Sequence, residues 1–252
     1  MKSHNLSKPW SFQALANSTL EICLYDEIGD NGFGEGTTSR AFMEDLKQAG
    51  PVDSIHLRIN SPGGAVFDGI AIYNALLTHG ARITAQIDGL AASIASVICM
   101  SASTISMSRN SMAMLHNPHA VARGDSTDMR KLAEALDRVK SSIIMAYQRH
   151  IKLPAKEIAA LMDRETWLSA QEAVDLGFAD AVLDDGQALP ISASADLSRY
   201  KNLPEQIAAR VQKAEPAAEV YYPEFSGRSL EELNAEHEKL ILQKRLRDSR
   251  YR

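Results

Sequence analysis

Ser93 is the one hydroxyl in the bend Asp88-Gly-Leu-Ala-Ala-Ser93, which leads into the almost wholly apolar run Ile94 to Ala102. Two kinds of chemistry suit a serine at the start of a buried helix. As an N-cap, its side-chain oxygen accepts a hydrogen bond from the first free backbone N–H groups. As a nucleophile, it attacks a carbonyl whose developing oxyanion rests on those same groups. The second role needs a base within hydrogen-bond reach and an acid to orient that base. Among the seven histidines, His116 closes a short apolar segment, Met112–Leu115, and enters the loop His116-Asn-Pro118, from which a side chain can overhang a cleft. A histidine taken alone is more often a packed or surface residue than a base. With 32 carboxylates in the chain, spacing does not select the acid.

These residues need a scaffold, and the patterning supplies one. Leu20–Tyr25, Ser54–Ile59 and Arg82–Ile87 alternate apolar and polar residues as half-buried strands do. Between them, a glycine-rich loop and Thr38 or Ser39 precede a helix through Phe42, Met43 and Leu46. The turn Asn60-Ser-Pro-Gly-Gly64 then precedes a helix through Ile70, Tyr73 and Leu77. Strands alternating with helices predict βαβ units and a mainly parallel sheet, hence an α/β fold. Thr104–Met107 and Met112–Leu115 read as short strands around a turn, and Ala181–Leu183 as the last strand of the domain. From Ser126, the residues Met129, Leu132, Leu136, Val139, Ile143 and Tyr147 form a helical stripe suited to a core or a subunit interface. Pro154 suits the first turn of a further helix. Ser169-Ala-Gln-Glu172 is a capping box for a short helix closed by Gly177.

Three segments follow: an N-terminal arm over 1–18, a principal domain over 19–187, and a polar extension over 188–252. In the extension, Ser, Ala, Glu, Lys and Pro replace apolar periodicity. Ser229-Leu-Glu-Glu232 is placed to cap a terminal helix ending in a basic stretch from Lys239, read as a solvated face. The 252-residue chain, 45% apolar, is long enough for one sizeable core. A net charge of −5 with interspersed signs disfavours nucleic-acid binding. Cys23 and Cys99 sit in separate apolar runs, with neither a disulfide framework nor zinc spacing. No cofactor or metal is expected. No apolar run reaches the length of a membrane span, and no signal-peptide core is present, so a cytoplasmic protein is expected.

Four segments in order carry a resemblance: Asn60-Ser-Pro-Gly-Gly64, Gly89-Leu-Ala-Ala-Ser-Ile94, Met114-Leu-His-Asn-Pro118, and Trp167-Leu-Ser-Ala-Gln-Glu-Ala173. Together they resemble the proteolytic subunit of Clp protease, the ClpP family, over about residues 19–185. Val66–Asn74 and Glu165-Thr-Trp167 are most similar to ClpP-like proteases of tailed phages and prophages, which implies a role in head maturation. The resemblance implies a ClpP/crotonase-like fold and a serine endopeptidase with Ser93 as nucleophile and His116 as general base. The backbone N–H groups of Gly64 and Ile94 would form the oxyanion hole. The family's acid is normally Asp, and the matching position here is Glu165. Asp163, two residues earlier, is a second candidate on an extended segment.

The resemblance further implies peptide bound as an added strand after Gly64. It implies a ring-shaped homo-oligomer of seven or fourteen subunits, with the helix from Ser126 between rings. Expected substrates are peptides or proteins, capsid or scaffold proteins among them, in the bacterial cytoplasm or an assembling procapsid. A Clp-type ATPase is a candidate partner. Three rivals share features with this reading: a crotonase-type acyl-CoA enzyme, a Ser–Lys signal-peptide-peptidase relative, and a capsid scaffold that has lost the triad. The first does not require Ser93 and His116 together, the second calls for a membrane segment, and the intact pair weighs against the third.

Overall fold

The computed structural model describes residues 10–29, 37–184 and 197–208. In chain order the elements are β1 (Trp10–Leu15), β2 (Thr19–Leu24), α1 (Ser39–Ala49), β3 (Ser54–Ser61), α2 (Val66–Thr78), β4 (Arg82–Ala92) and α3 (Ile94–Cys99). They continue with β5 (Thr104–Ser108), β6 (Met112–Leu115), α4 (Ser126–Tyr147), α5 (Ala155–Asp163), β7 (Thr166–Ser169), α6 (Ala170–Leu176), β8 (Ala181–Leu183) and α7 (Glu205–Ala208). The α/β expectation holds. β2, β3, β4, β5 and β8 run parallel in that spatial order, with β1 antiparallel at one edge.

Alternation sets the layers. Leu20, Ile22 and Leu24, then Ile55, Leu57 and Ile59, then Ile83, Ala85 and Ile87 point to one buried face. Phe42 and Leu46 of α1 and Ile72 and Leu76 of α2 join the same core. The opposite face carries a polar cluster. Asp88, 3% exposed, accepts hydrogen bonds from Tyr25 Oη, Arg58 Nε and Nη2, and Gln86 Nε2. Those four donors offset the cost of burying its charge.

β4 does two jobs. Its first half, Thr84–Ile87, pairs with β5; its second half, Leu90–Ala92, leaves that partner and pairs with β6. A register shift between Ile59 and Ser61 of β3 accompanies the fork, and there Asn60 Oδ1 accepts from Leu90 N–H at 3.1 Å. β6 in turn pairs antiparallel with β7. The fork therefore sets the far ends of β4 and β6 beside the start of β7.

Several helix ends follow the sequence cues. Thr38 caps α1 through its side chain, Ser169 and Glu172 form a capping box on α6, and Gly177 closes α6 in the left-handed region. Two segments depart from expectation. Trp10–Leu15 forms a strand on β2 where an arm was expected, held by Trp10 Nε1 donating to Asp45 and an edge contact of Phe12 on Phe42. Residues 197–208, within the extension, pack on the main domain and belong to the same compact unit as Ser93. Leu197, Tyr200 and Ile207 are buried with Leu90, Ala92 and Met114. The terminal helix expected after Ser229 lies outside the described residues.

Candidate active site

The strand fork delivers three side chains to one place. Ser93 follows Ala92, which pairs with Met114; His116 follows Leu115, which pairs with Thr166; and Glu165 precedes Thr166. Ser93 N–H donates to Met114 O at 2.9 Å, fixing the turn after β4 against β6. His116 Nε2 then lies 2.6 Å from Ser93 Oγ.

Ser93 occupies the N-cap position of α3, yet its side chain makes no capping bond. Its φ of 56° puts a non-glycine residue in the left-handed region, a conformation costing on the order of 1–3 kcal/mol that surrounding structure must enforce. That structure is visible. Ser96 Oγ donates to Ser93 O at 2.6 Å and is itself hydrogen-bonded to Tyr147 Oη of α4 at 2.7 Å, both oxygens buried. The hydroxyl of Ser93 is thereby turned away from its helix and toward the imidazole.

The turn before α2 abuts the same point. At Gly63, φ +90°, an added Cβ would fall 2.7 Å from Ala92 O and from Ser93 Cβ. At Gly64, φ +146°, it would fall 2.0 Å from Ile28 O, because Gly64 bridges to Ile28. The chain thus requires glycine at 64 for its own close packing, in addition to the approach of a substrate carbonyl. Gly64 N–H has no main-chain acceptor among the described residues. Ile94 N–H is the first amide of α3 and has no acceptor inside its own helix.

A cavity of about 440 Å³ opens beside this pair. Gly64 to Asp68 form one wall, Pro118 to Ala120 another, Leu132, Leu136 and Val139 of α4 a third, and Arg199 and Tyr200 a fourth. The α4 stripe is thus divided: Ile143 and Tyr147 are core, the middle residues line the cavity, and Met129 is exposed.

Burial is the main cause that holds the His116 pKa down to about 4; nearby His119 and Arg199 lower it further and Glu165 opposes them. At neutral pH the ring is unprotonated, the state a general base requires.

The two candidate acids separate clearly. Asp163, the last residue of α5, is 54% exposed; it pairs with Lys140 Nζ at 2.5 Å and accepts from Asn117 Nδ2 at 2.8 Å. Glu165 is close enough to favour the charged form of His116. No hydrogen bond joins them among the described residues. The Glu165 carboxylate accepts instead from the backbone N–H groups of Lys201 at 3.0 Å and Asn202 at 2.7 Å. Glu165 also has a positive φ of 51°.

Sequence reasoning missed Arg199 and Tyr200. Tyr200 Oη donates to Pro62 O, and Arg199 donates to Glu27 Oε1 at 2.5 Å and to Pro62 O at 3.3 Å. The signal was the apolar spacing of Leu197, Tyr200, Leu203 and Ile207 inside an otherwise polar stretch.

Among the described residues no cluster of His, Cys, Asp and Glu is arranged to hold a metal ion, and Cys23 and Cys99 are free thiols. Among those residues no helix is long and apolar enough to cross a membrane.

Comparison with known proteins gives one answer. The family profile for Clp protease matches residues 11–186. The ATP-dependent Clp protease proteolytic subunit 1 of Protochlamydia amoebophila is 33% identical over 146 residues, covering 55% of this chain and 69% of the relative. The proteolytic subunit 3 of Rhodococcus jostii is 37% identical over 167 residues, covering 64% of this chain and 80% of the relative. The subunit of Porphyromonas gingivalis is 30% identical over 141 residues, covering 55% and 64%.

Proposed function

Because the chain belongs to the Clp protease family, we propose that it is a serine endopeptidase acting through Ser93, His116 and Glu165. The observation that carries this reading is the 2.6 Å contact of His116 Nε2 with Ser93 Oγ beside an open cavity.

The steps follow from the geometry. A peptide carbonyl seated over Ser93 is attacked by Oγ as His116 Nε2 takes its proton. The tetrahedral oxyanion meets the N–H groups of Gly64 and Ile94, the two amides that flank the Gly63–Ser93 contact. His116 then delivers the proton to the departing amine, leaving an acyl-Ser93 that water hydrolyses by the same route. Glu165 acts on the imidazolium through its charge, since its oxygens are taken by Lys201 and Asn202. The apolar α4 wall of the cavity would receive an apolar side chain of the substrate. Hydrolysis of short fluorogenic peptides, lost in Ser93→Ala and in His116→Ala, tests this assignment. Retained hydrolysis in Ser93→Ala would refute it.

At a finer level, the motifs shared with phage and prophage ClpP-like enzymes favour capsid or scaffold protein as the substrate, within a ring-shaped homo-oligomer. A general role with a Clp-type ATPase is the alternative. Co-expression with a tailed-phage major capsid protein separates them: a truncated capsid chain that disappears in Ser93→Ala supports head maturation. An intact capsid chain, with ATPase-dependent degradation of an unfolded protein, supports the alternative.

A further inference from the structure

We infer that Tyr200 is a positioning residue of the active site, whose ring holds the His116 imidazole in the orientation that points Nε2 at Ser93. This rests on the reading of Ser93 and His116 as nucleophile and base.

An imidazole needs something to fix its rotation about the Cβ–Cγ bond, and in serine hydrolases an acid bonded to the second nitrogen does so. Here the carboxylate nearest His116 is engaged elsewhere. An aromatic ring fills the gap. Tyr200 is 6% exposed and meets the His116 ring at a centroid distance of 5.3 Å with the planes at 89°, an edge-to-face contact. Trp167 meets Tyr200 at 5.7 Å and 80°. The Tyr200 hydroxyl donates to Pro62 O, the carbonyl just before Gly63-Gly64. One side chain therefore ties the base to the turn that supplies a proposed oxyanion donor.

The surroundings keep Tyr200 there. Leu197 and Ile207 on either side are buried against Leu90, Ala92 and Met114. Glu165 secures the two amides that follow Tyr200, so this carboxylate serves the base indirectly, by holding the segment that holds the ring. The groups facing His116 are Ser93, His119, Glu165, Arg199 and Tyr200.

The test follows the rate of Ser93 phosphonylation by a fluorophosphonate across pH, in the full chain and in its native assembly. Tyr200→Leu keeps apolar packing but removes the ring, whereas Tyr200→Phe keeps the ring and removes only the hydroxyl. Tyr200→Leu should slow labelling by roughly tenfold. It should also move the acid limb of the profile to higher pH as water reaches the imidazole, and Tyr200→Phe, which keeps the ring against His116, should restore the acid limb. An unchanged acid limb in Tyr200→Leu, with or without a slower rate, would reduce Tyr200 to a packing residue. Faster labelling would make it a cover over the site and overturn the inference. A wild-type protein that is not labelled at all would instead refute the protease reading itself.

Discussion

Asn202 donates its backbone N–H to Glu165 Oε1 at 2.7 Å, and Lys201 N–H occupies Oε2 of the same carboxylate at 3.0 Å. The carboxylate proposed as the acid thus serves main-chain donors from a segment 36 residues downstream. Its influence on His116 is electrostatic, and the ring orientation depends on packing.

Replacing Glu165 by Gln should therefore cost less than in a triad whose acid bonds the histidine directly. The amide keeps one acceptor for the downstream segment but loses the charge that favours imidazolium. We expect turnover to fall on the order of 10–100-fold, against about 10⁴-fold for a hydrogen-bonded triad acid. Asp163→Asn, which breaks an exposed pair with Lys140, should leave turnover near wild type. Steady-state kinetics on a peptide substrate read both. The opposite order would move the acid to Asp163.

The pH profile should be shifted toward acid. The proposed mechanism uses neutral His116 as the base, and burial lowers its pKa to about 4. Activity is present where the ring is deprotonated and is lost as pH falls through that value. The acid limb of kcat/KM should thus lie well below the ordinary histidine value of about 6.5. A limb near 6.5 would mean that His116 is solvated in the working enzyme.

On the far face of the sheet, Asp88→Asn removes the charge shared by Arg58, Tyr25 and Gln86 without touching the cavity. Leaving the guanidinium, 31% exposed, without its carboxylate should cost about 1–3 kcal/mol. A lowered thermal midpoint would show it, with the pH profile unmoved.

The proposed ring assembly would use α4. Met129 and Met145 are 38% and 64% exposed on a helix whose Leu132, Leu136 and Val139 line the cavity and whose Ile143 and Tyr147 enter the core. Sedimentation should give a mass several times 27.6 kDa, and Met129→Glu should reduce it. A wild-type species of monomer mass at micromolar concentration would contradict a ring.

Much of this was legible beforehand because local chemistry and global fold agree. Alternation in Leu20–Leu24 and Ser54–Ile59 and the capping box at Ser169 each specify their element without help from distant residues. β1 was harder, since Trp10, Phe12 and Ala14 alternate too briefly to separate a strand from an arm. The segment at Leu197–Ile207 was hidden for a different reason. Leu197, Tyr200 and Ile207 are widely spaced buried residues in a polar stretch, and the Lys201 and Asn202 amides that bind Glu165 carry no sequence signature. The different surroundings of Glu165 and Asp163 also needed three dimensions. Their spacing suits one extended strand, but Asp163 ends α5 and faces Lys140.

The most direct measurement is the site and rate of fluorophosphonate labelling, read by intact mass and peptide mapping. One adduct per chain on Ser93, absent in Ser93→Ala and strongly slowed in His116→Ala, is the expected result. Labelling confined to another residue, or a rate indifferent to loss of His116, would contradict a Ser93–His116 protease.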